Sequence, residues 1–163
     1  MKKFLVQFFL LIIVIGLALF FFRPGDGQKT FNIPFLPQKT TLTNLEISGH
    51  QFKVEIADTQ EKRSKGLSGR ERIASDEGML FIFDKVDKYP FWMKGLNFPL
   101  DFIWINGDTV VDILPNILPP SPGQSDESLT IYQPRVEINK VLEINGGTSE
   151  RLGIKIGDSV RME

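Results

Sequence analysis

The chain has 163 residues, 42% hydrophobic and 24% charged, which is the composition of one globular domain with an appendage and excludes a largely disordered polymer. A formal net charge of −1, from 19 basic and 20 acidic residues, gives no general attraction to nucleic acid. There is no cysteine and a single histidine, so disulfides and thiolate zinc sites are excluded and a nucleophile–histidine triad has only His50 to draw on.

The first element is the run Phe4 to Phe22, uncharged and interrupted only by Gln7 and Gly16. At about 1.5 Å per residue it extends about 28 Å as a helix, close to the bilayer core of about 30 Å. A cleaved signal peptide competes with a retained anchor for this run. The apolar region of a signal peptide is about 7 to 15 residues and ends in small residues, whereas this one is longer and closes on Leu19, Phe20, Phe21 and Phe22, which favours the anchor. Lys2 and Lys3 precede the span and Arg23 alone follows it, ahead of Asp26, which places the N-terminus in the cytoplasm and the domain outside, periplasmic or extracellular. Without those three cations, 16 basic residues face 20 acids, so the exported part carries about −4. The lipid bilayer is thus the one partner expected outright, at the cell membrane.

Residues 24–41 read as a tether, broken by Pro24, Gly25, Gly27, Pro34 and Pro37 and able to reach about 50 Å if extended at about 3.1 Å per residue. Phe31, Ile33, Phe35 and Leu36 are unusual in a free linker and can dock on the domain or on headgroups. The domain proper, residues 42–163, opens with strands over Leu42–Ile47 and Phe52–Ala57, in which Phe52, Val54 and Ile56 share one face. Ser48, Gly49, His50 and Gln51 form the turn between them, and a lone turn histidine is ordinarily solvated.

Asp58-Thr59-Gln60-Glu61 has capping-box spacing, so a short helix is expected to run from there to Lys65 and to end at Gly66. Between Asp58 and Arg72 lie Lys62, Arg63, Lys65, Arg70 and Arg72, a solvated helix face or a basic binding surface. Gly78–Phe83 is apolar on both alternating faces, as a doubly buried strand is. Phe102–Ile105 and Val110–Leu114 flank Asn106-Gly107-Asp108, a turn sequence. Residues 115–128, with four prolines, form a long loop, followed by a strand over Val141–Ile144. A one-turn helix capped by Thr148 and stopped by Gly153 comes next, and a last strand lies around Val160. Seven or eight short strands and two short helices predict a mainly β domain, a single sandwich or irregular barrel.

Three blocks, ADTQEKRSKGLSGRERIASDEGMLFIF, FWMKGLNFPLDFIWING and VLEINGGTSERLGIKIGDSV, together resemble the DUF192 family, also called UPF0127, over about residues 44 to 162. The matching positions are Gly66, Leu67 and Arg70; Glu77, Gly78 and Met79; Phe91, Trp92, Met93 and Lys94; and Pro99, Leu100 and Asp101. The resemblance implies a compact, mostly β domain in small bacterial and archaeal proteins, often exported or membrane-tethered, and brings no established biochemical activity. The sequence departs from the family pattern at Gly95-Leu96, where Asn-Thr is frequent, and at Ser68, where methionine is common.

The charges inside the aromatic stretch KYPFWMKGLNFPLDFIWING raise the functional question. If Gly95 to Leu100 joins two strands, Lys94 and Asp101 approach across a hairpin as a structural ion pair. Alternatively Arg70, Glu77, Lys94 and Asp101 line a pocket walled by Trp92 and Phe81, a ligand-binding site. Glu77 and Asp101 have the residue types of a hydrolase's acid and base, though no spacing demands it. No metal and no cofactor is implied, because Asp108, Asp112 and Asp158 are scattered in turns without a ligand run. Asn145-Gly146-Gly147-Thr148 before a short helix is either an anion site or a plain turn and cap. Two function classes remain. One is a membrane-anchored extracytoplasmic binding or assembly module for an envelope glycan, peptide or protein; the other is an envelope hydrolase using Glu77 and Asp101.

Overall fold

The computed structural model describes residues 41–163 together with Ile12. Apart from Ile12 and Thr41, the expected anchor and tether lie outside the described residues, and among the described residues no helix is long and apolar enough to cross a membrane. The domain contains β1 (Leu42–Ile47), β2 (His50–Ala57), α1 (Gln60–Lys65), β3 (Glu77–Asp87), β4 (Leu100–Asn106), β5 (Thr109–Ile117), a 3₁₀ turn (Asp126–Ser128), β6 (Ile138–Asn145), α2 (Thr148–Leu152) and β7 (Val160–Met162). The strands form one seven-stranded sheet in the order β5-β4-β6-β3-β2-β1-β7.

The mainly β character and the two short helices agree with the expectation; the sandwich does not. Every strand contributes alternate residues to one inner cluster, including Leu45 and Ile47, Phe52 and Val54, Leu80, Ile103 and Ile105, Val110, Leu142 and Ile144, and Val160. The sheet curls so that its own strands supply the opposing layer that a sandwich takes from a second sheet. Its two edges meet at one end, where Thr109 bridges Ser159, Val110 N–H donates to Asp158 O at 2.9 Å and Val160 N–H donates to Asp108 O at 2.9 Å. The outer face carries a second cluster. Met79, Phe81, Leu100, Phe102, Trp104 and Val141 are covered there by Leu67, Ile73, Phe91, Met93 and Phe98 from connecting segments rather than by strands.

Local chemistry explains the elements. Ser48 and Gly49 both have positive φ, the signature of a two-residue hairpin turn, so His50 and Gln51 already belong to β2 and His50 pairs with Ile47. β2 and β3 are parallel, which requires the crossover connection that carries α1. The cap of α1 is Thr59, one residue later than expected: its Oγ1 accepts the Lys62 N–H at 3.2 Å, while Asp58 accepts from Lys62 Nζ at 2.8 Å. Gly66 closes the helix at φ +49, and a Cβ there would meet the Phe81 ring at 3.3 Å, so a glycine lets the helix end lie flat on β3. β4 lies between β5 and β6 and is buried from Leu100 to Ile105, as a strand covered on both faces must be. Residues 92–99 form no strand, and the hairpin expected to join Lys94 to Asp101 does not exist.

Candidate functional site

The outer cluster is open on one side. A cleft of about 720 Å³ lies between α1 with its following turn, the strand β3 and the connection to β4. Its walls are aromatic: Phe81, Phe83, Tyr89, Phe91 and Trp92. Phe83 and Tyr89 stack with centroids 3.6 Å apart, and Phe81 meets Phe91 edge-on at 5.1 Å, so these rings hold one another in place before any ligand arrives. Trp92 is 47% exposed and Ile131 is also exposed, both at the rim.

The cations at the mouth come from two elements, Arg63 and Lys65 from α1 and Lys94 from the β3–β4 connection. Arg63 Nη1 donates to Asp58 O and to Ile82 O, each at 2.8 Å, with its guanidinium 5.2 Å from the Phe83 centroid, which fixes it as part of the wall. Lys94 Nζ lies 2.6 Å from Asp126 Oδ2 and 5.4 Å from the Trp92 centroid.

The floor holds Glu143, a residue that reading the strand by alternation assigns to solvent. β6 places Val141 and Glu143 on its outer side, and Glu143 stands between Met79 of β3 and Phe102 of β4. It is 5% exposed and lines the cleft, and among the described residues its carboxyl has no hydrogen-bond or ion-pair partner. Burial pushes it up to about 8, because the charged form loses water and gains nothing in return. Near neutral pH it is therefore largely a carboxylic acid, with an O–H to donate. The signal that could have found it lies in its neighbours: a strand between two doubly buried strands has no solvent face.

The residues singled out from the sequence divide. Trp92 and Lys94 line the cleft; Arg70, Glu77 and Asp101 do not. Arg70 is held in a fork on Glu55, with Nη2 donating to Oε2 at 2.7 Å and Nη1 to Oε1, and its carbonyl accepts from Asn97 Nδ2 at 2.9 Å. Glu77 accepts the Ala74 N–H at 3.2 Å and closes a turn. Asp101 is fully buried and accepts the backbone N–H groups of Asn116, Gly147 and Ser149, each at 2.7 Å. The expected Lys94–Asp101 pair is thus absent, since Lys94 is committed to Asp126 at the surface. The Glu77–Asp101 pair does not converge either: Asp101 is in register with Ile144, which is in register with Gly78, so Glu77 projects from the opposite face. The turn Asn145-Gly146-Gly147-Thr148 does meet an anion, the chain's own Asp101. Thr148 is not the cap of α2; Gly147 occupies that position at φ +77 and Asp101 supplies the acceptor.

The profile of the DUF192 family, described as "Uncharacterized ACR", matches residues 43–162. The chain belongs to the DUF192 family. Two solved structures share its fold. One is a protein from Sinorhizobium meliloti 1021 whose description gives it as a candidate transcription regulator, 31% identical, with a TM-score of 0.67 over 76% of this chain and 95% of that one. The other is a protein of unknown function from Novosphingobium aromaticivorans DSM 12444, 34% identical, with a TM-score of 0.67 over 74% of this chain and 84% of that one. No curated protein matches the sequence. Against the DUF192 pattern, the two departures seen in this sequence are in contact: Gly95 has φ +68, and a Cβ built on it would collide with Ser68 Oγ. Both positions lie beside the cleft, where Ser68 is a lining residue.

Proposed function

We propose that this DUF192 domain is a membrane-tethered, extracytoplasmic peptide-binding module, anchored by Phe4–Phe22, whose aromatic cleft receives an apolar segment of an envelope protein. The cleft supports the reading most: it is preformed, open, walled by stacked rings and floored by one polar group without a partner, the arrangement of a recognition site. A peptide fits better than a glycan, because a sugar's hydroxyls need a dense polar lining and these walls are mostly apolar. The hydrolase reading that uses Glu77 and Asp101 loses its support, since the two acids face opposite sides and Asp101 already accepts three backbone donors.

Replacing Trp92 by a photo-crosslinking phenylalanine analogue in the full chain, expressed in membranes, tests the reading. A discrete protein adduct is expected from position 92 and not from Lys53, an exposed position on β2. Equal adducts from both positions, or none from 92, would count against it. For the tether, protease added to intact spheroplasts should digest the domain; protection would place it in the cytoplasm.

A further inference from the structure

We infer that Glu143 is the recognition group of this cleft, entering it as a neutral acid whose O–H is donated to an uncharged carbonyl oxygen of the bound peptide. The inference rests on the cleft being a binding site and adds what it selects. Three observations carry it. Glu143 is more than nine-tenths buried, yet it lines the cleft and no group of the described residues occupies its carboxyl. Its carboxyl is reached by solvent from the open cleft, and a ligand carbonyl can take the place of water as its acceptor.

The groups that face it do not hold it ionised. In its own row, Met79 and Phe102 are apolar, and Glu55, two strands away, is neutralised by Arg70. Glu77, on the same face of β3, is occupied by the Ala74 N–H. Of the cleft's other titratable and charged groups, Arg63 is bound to two carbonyls, Lys94 to Asp126, and Tyr89 donates to Lys85 O at 2.9 Å. Lys65 stands at the exposed mouth.

Charge then selects the ligand. A cationic group would have to pass Arg63, Lys65 and Lys94 to reach the floor, and an anionic group would have to leave water for an apolar floor on which no cation stands. An uncharged acceptor flanked by an apolar or aromatic side chain meets neither obstacle, and a peptide carbonyl is that group.

Dicyclohexylcarbodiimide, itself apolar, tests this on the full chain in detergent micelles. The carboxylic acid adds across one C=N bond, its proton passing to nitrogen and its oxygen to the central carbon. The O-acylisourea then rearranges to a stable N-acylurea, with nothing leaving and nothing oxidised. Peptide mapping by mass spectrometry should find Glu143 as the main adduct at about pH 7.5, where exposed carboxylates no longer react, and no such adduct in Glu143→Gln. N-benzylacetamide, an aromatic ring with a neutral carbonyl, should slow the labelling several-fold, and benzylammonium should not. Absence of the Glu143 adduct, or stronger protection by benzylammonium than by the amide, overturns the inference. Trp92 fluorescence, taken as the difference from Trp92→Phe, separates the two levels of the account. If the amide shifts that signal but leaves labelling untouched, the cleft binds and Glu143 is not its recognition group; if it changes neither, the binding reading falls as well.

Discussion

Asp101 on β4 and Glu143 on β6 lie next to each other in the ladder, because Asp101 faces Ile144 and Glu143 faces Phe102. Both are buried, Asp101 at 0% and Glu143 at 5% exposure. Alternation sends them to opposite faces of the sheet. At Asp101 the end of β5 and the turn into α2 bring three backbone N–H groups onto one carboxylate, so that a single side chain ties three segments together. At Glu143 the neighbours are aromatic and aliphatic, and the carboxyl opens on a cleft. A third acid, Asp112, shows the intermediate solution. It is 3% exposed and is bound by the Arg135 guanidinium, with Nη2 donating to Oδ1 at 2.5 Å, and by the Arg135 and Ile113 N–H groups. The difference teaches that burial alone does not assign a role to an acid. The partners already present decide whether it holds the fold together or remains available to a ligand.

The largest expected effect is on the satisfied side. Asp101→Ala strips the acceptor from three backbone donors, that of Ser149 buried and those of Asn116 and Gly147 partly buried, so a loss of about 3 to 5 kcal/mol is expected in denaturant unfolding. Asp101→Asn should lose less, since one oxygen remains and only one donor meets an amide. If Asp101→Ala unfolds at the wild-type midpoint, the satisfied half of the comparison is wrong.

The next effect is a pH dependence of opposite sign at the two kinds of acid. Glu143 holds its proton in the folded state up to about 8, whereas unfolded it ionises near its ordinary value of 4.5. The folded state therefore binds more protons across that window, and stability falls as pH rises through it, by at most about 1.4 kcal/mol per pH unit. Between about pH 6 and 7.5 a loss of about 2 kcal/mol is expected, levelling off above the folded value, and Glu143→Gln should abolish it. Asp112 contributes in the other direction. The Arg135 guanidinium hydrogen-bonded to it holds its carboxyl below 3.8, so its stabilisation is present above that pH and is lost as pH falls through the lower, folded value. Unfolding curves measured from pH 3 to pH 9 on the wild type and Glu143→Gln separate the two limbs.

Much of the fold is legible in the sequence because it is written in local periods. Phe52, Val54 and Ile56 fall on one face as alternation requires, β1 has the limits read from its pattern, and Gly107-Asp108 makes the β4–β5 turn. What is not legible depends on residues far apart in the chain. The donors that converge on Asp101 come from positions 116, 147 and 149, and nothing near residue 101 announces them. Lys94 and Asp101 read as hairpin partners because six residues separate them, yet residues 92–99 cross the outer face as a covering segment in which Met93 and Phe98 are buried. Glu143 is hidden from a local reading in the same way. Its local pattern is that of an ordinary half-exposed strand, and only the aromatic segments packed over β6 bury it.

The smallest effect belongs to the mouth of the cleft. Lys94 and Asp126 are each about half exposed, so Lys94→Ala should change stability by less than about 1 kcal/mol. A thermal shift as large as that of Asp101→Asn would mean that Lys94 is structural after all. Photo-crosslinking from position 92, by contrast, should fall in Lys94→Ala, because Lys94 lines the cleft mouth beside that position.

The most direct test of the account is the titration of Glu143 itself. Carbon-13 spectra of the side-chain carboxyl, assigned by the signal missing in Glu143→Gln, should show a midpoint near 8. A midpoint near 4.5 would mean that water or an unseen partner already serves this carboxyl, and would contradict the claim that the cleft holds a neutral acid ready to donate.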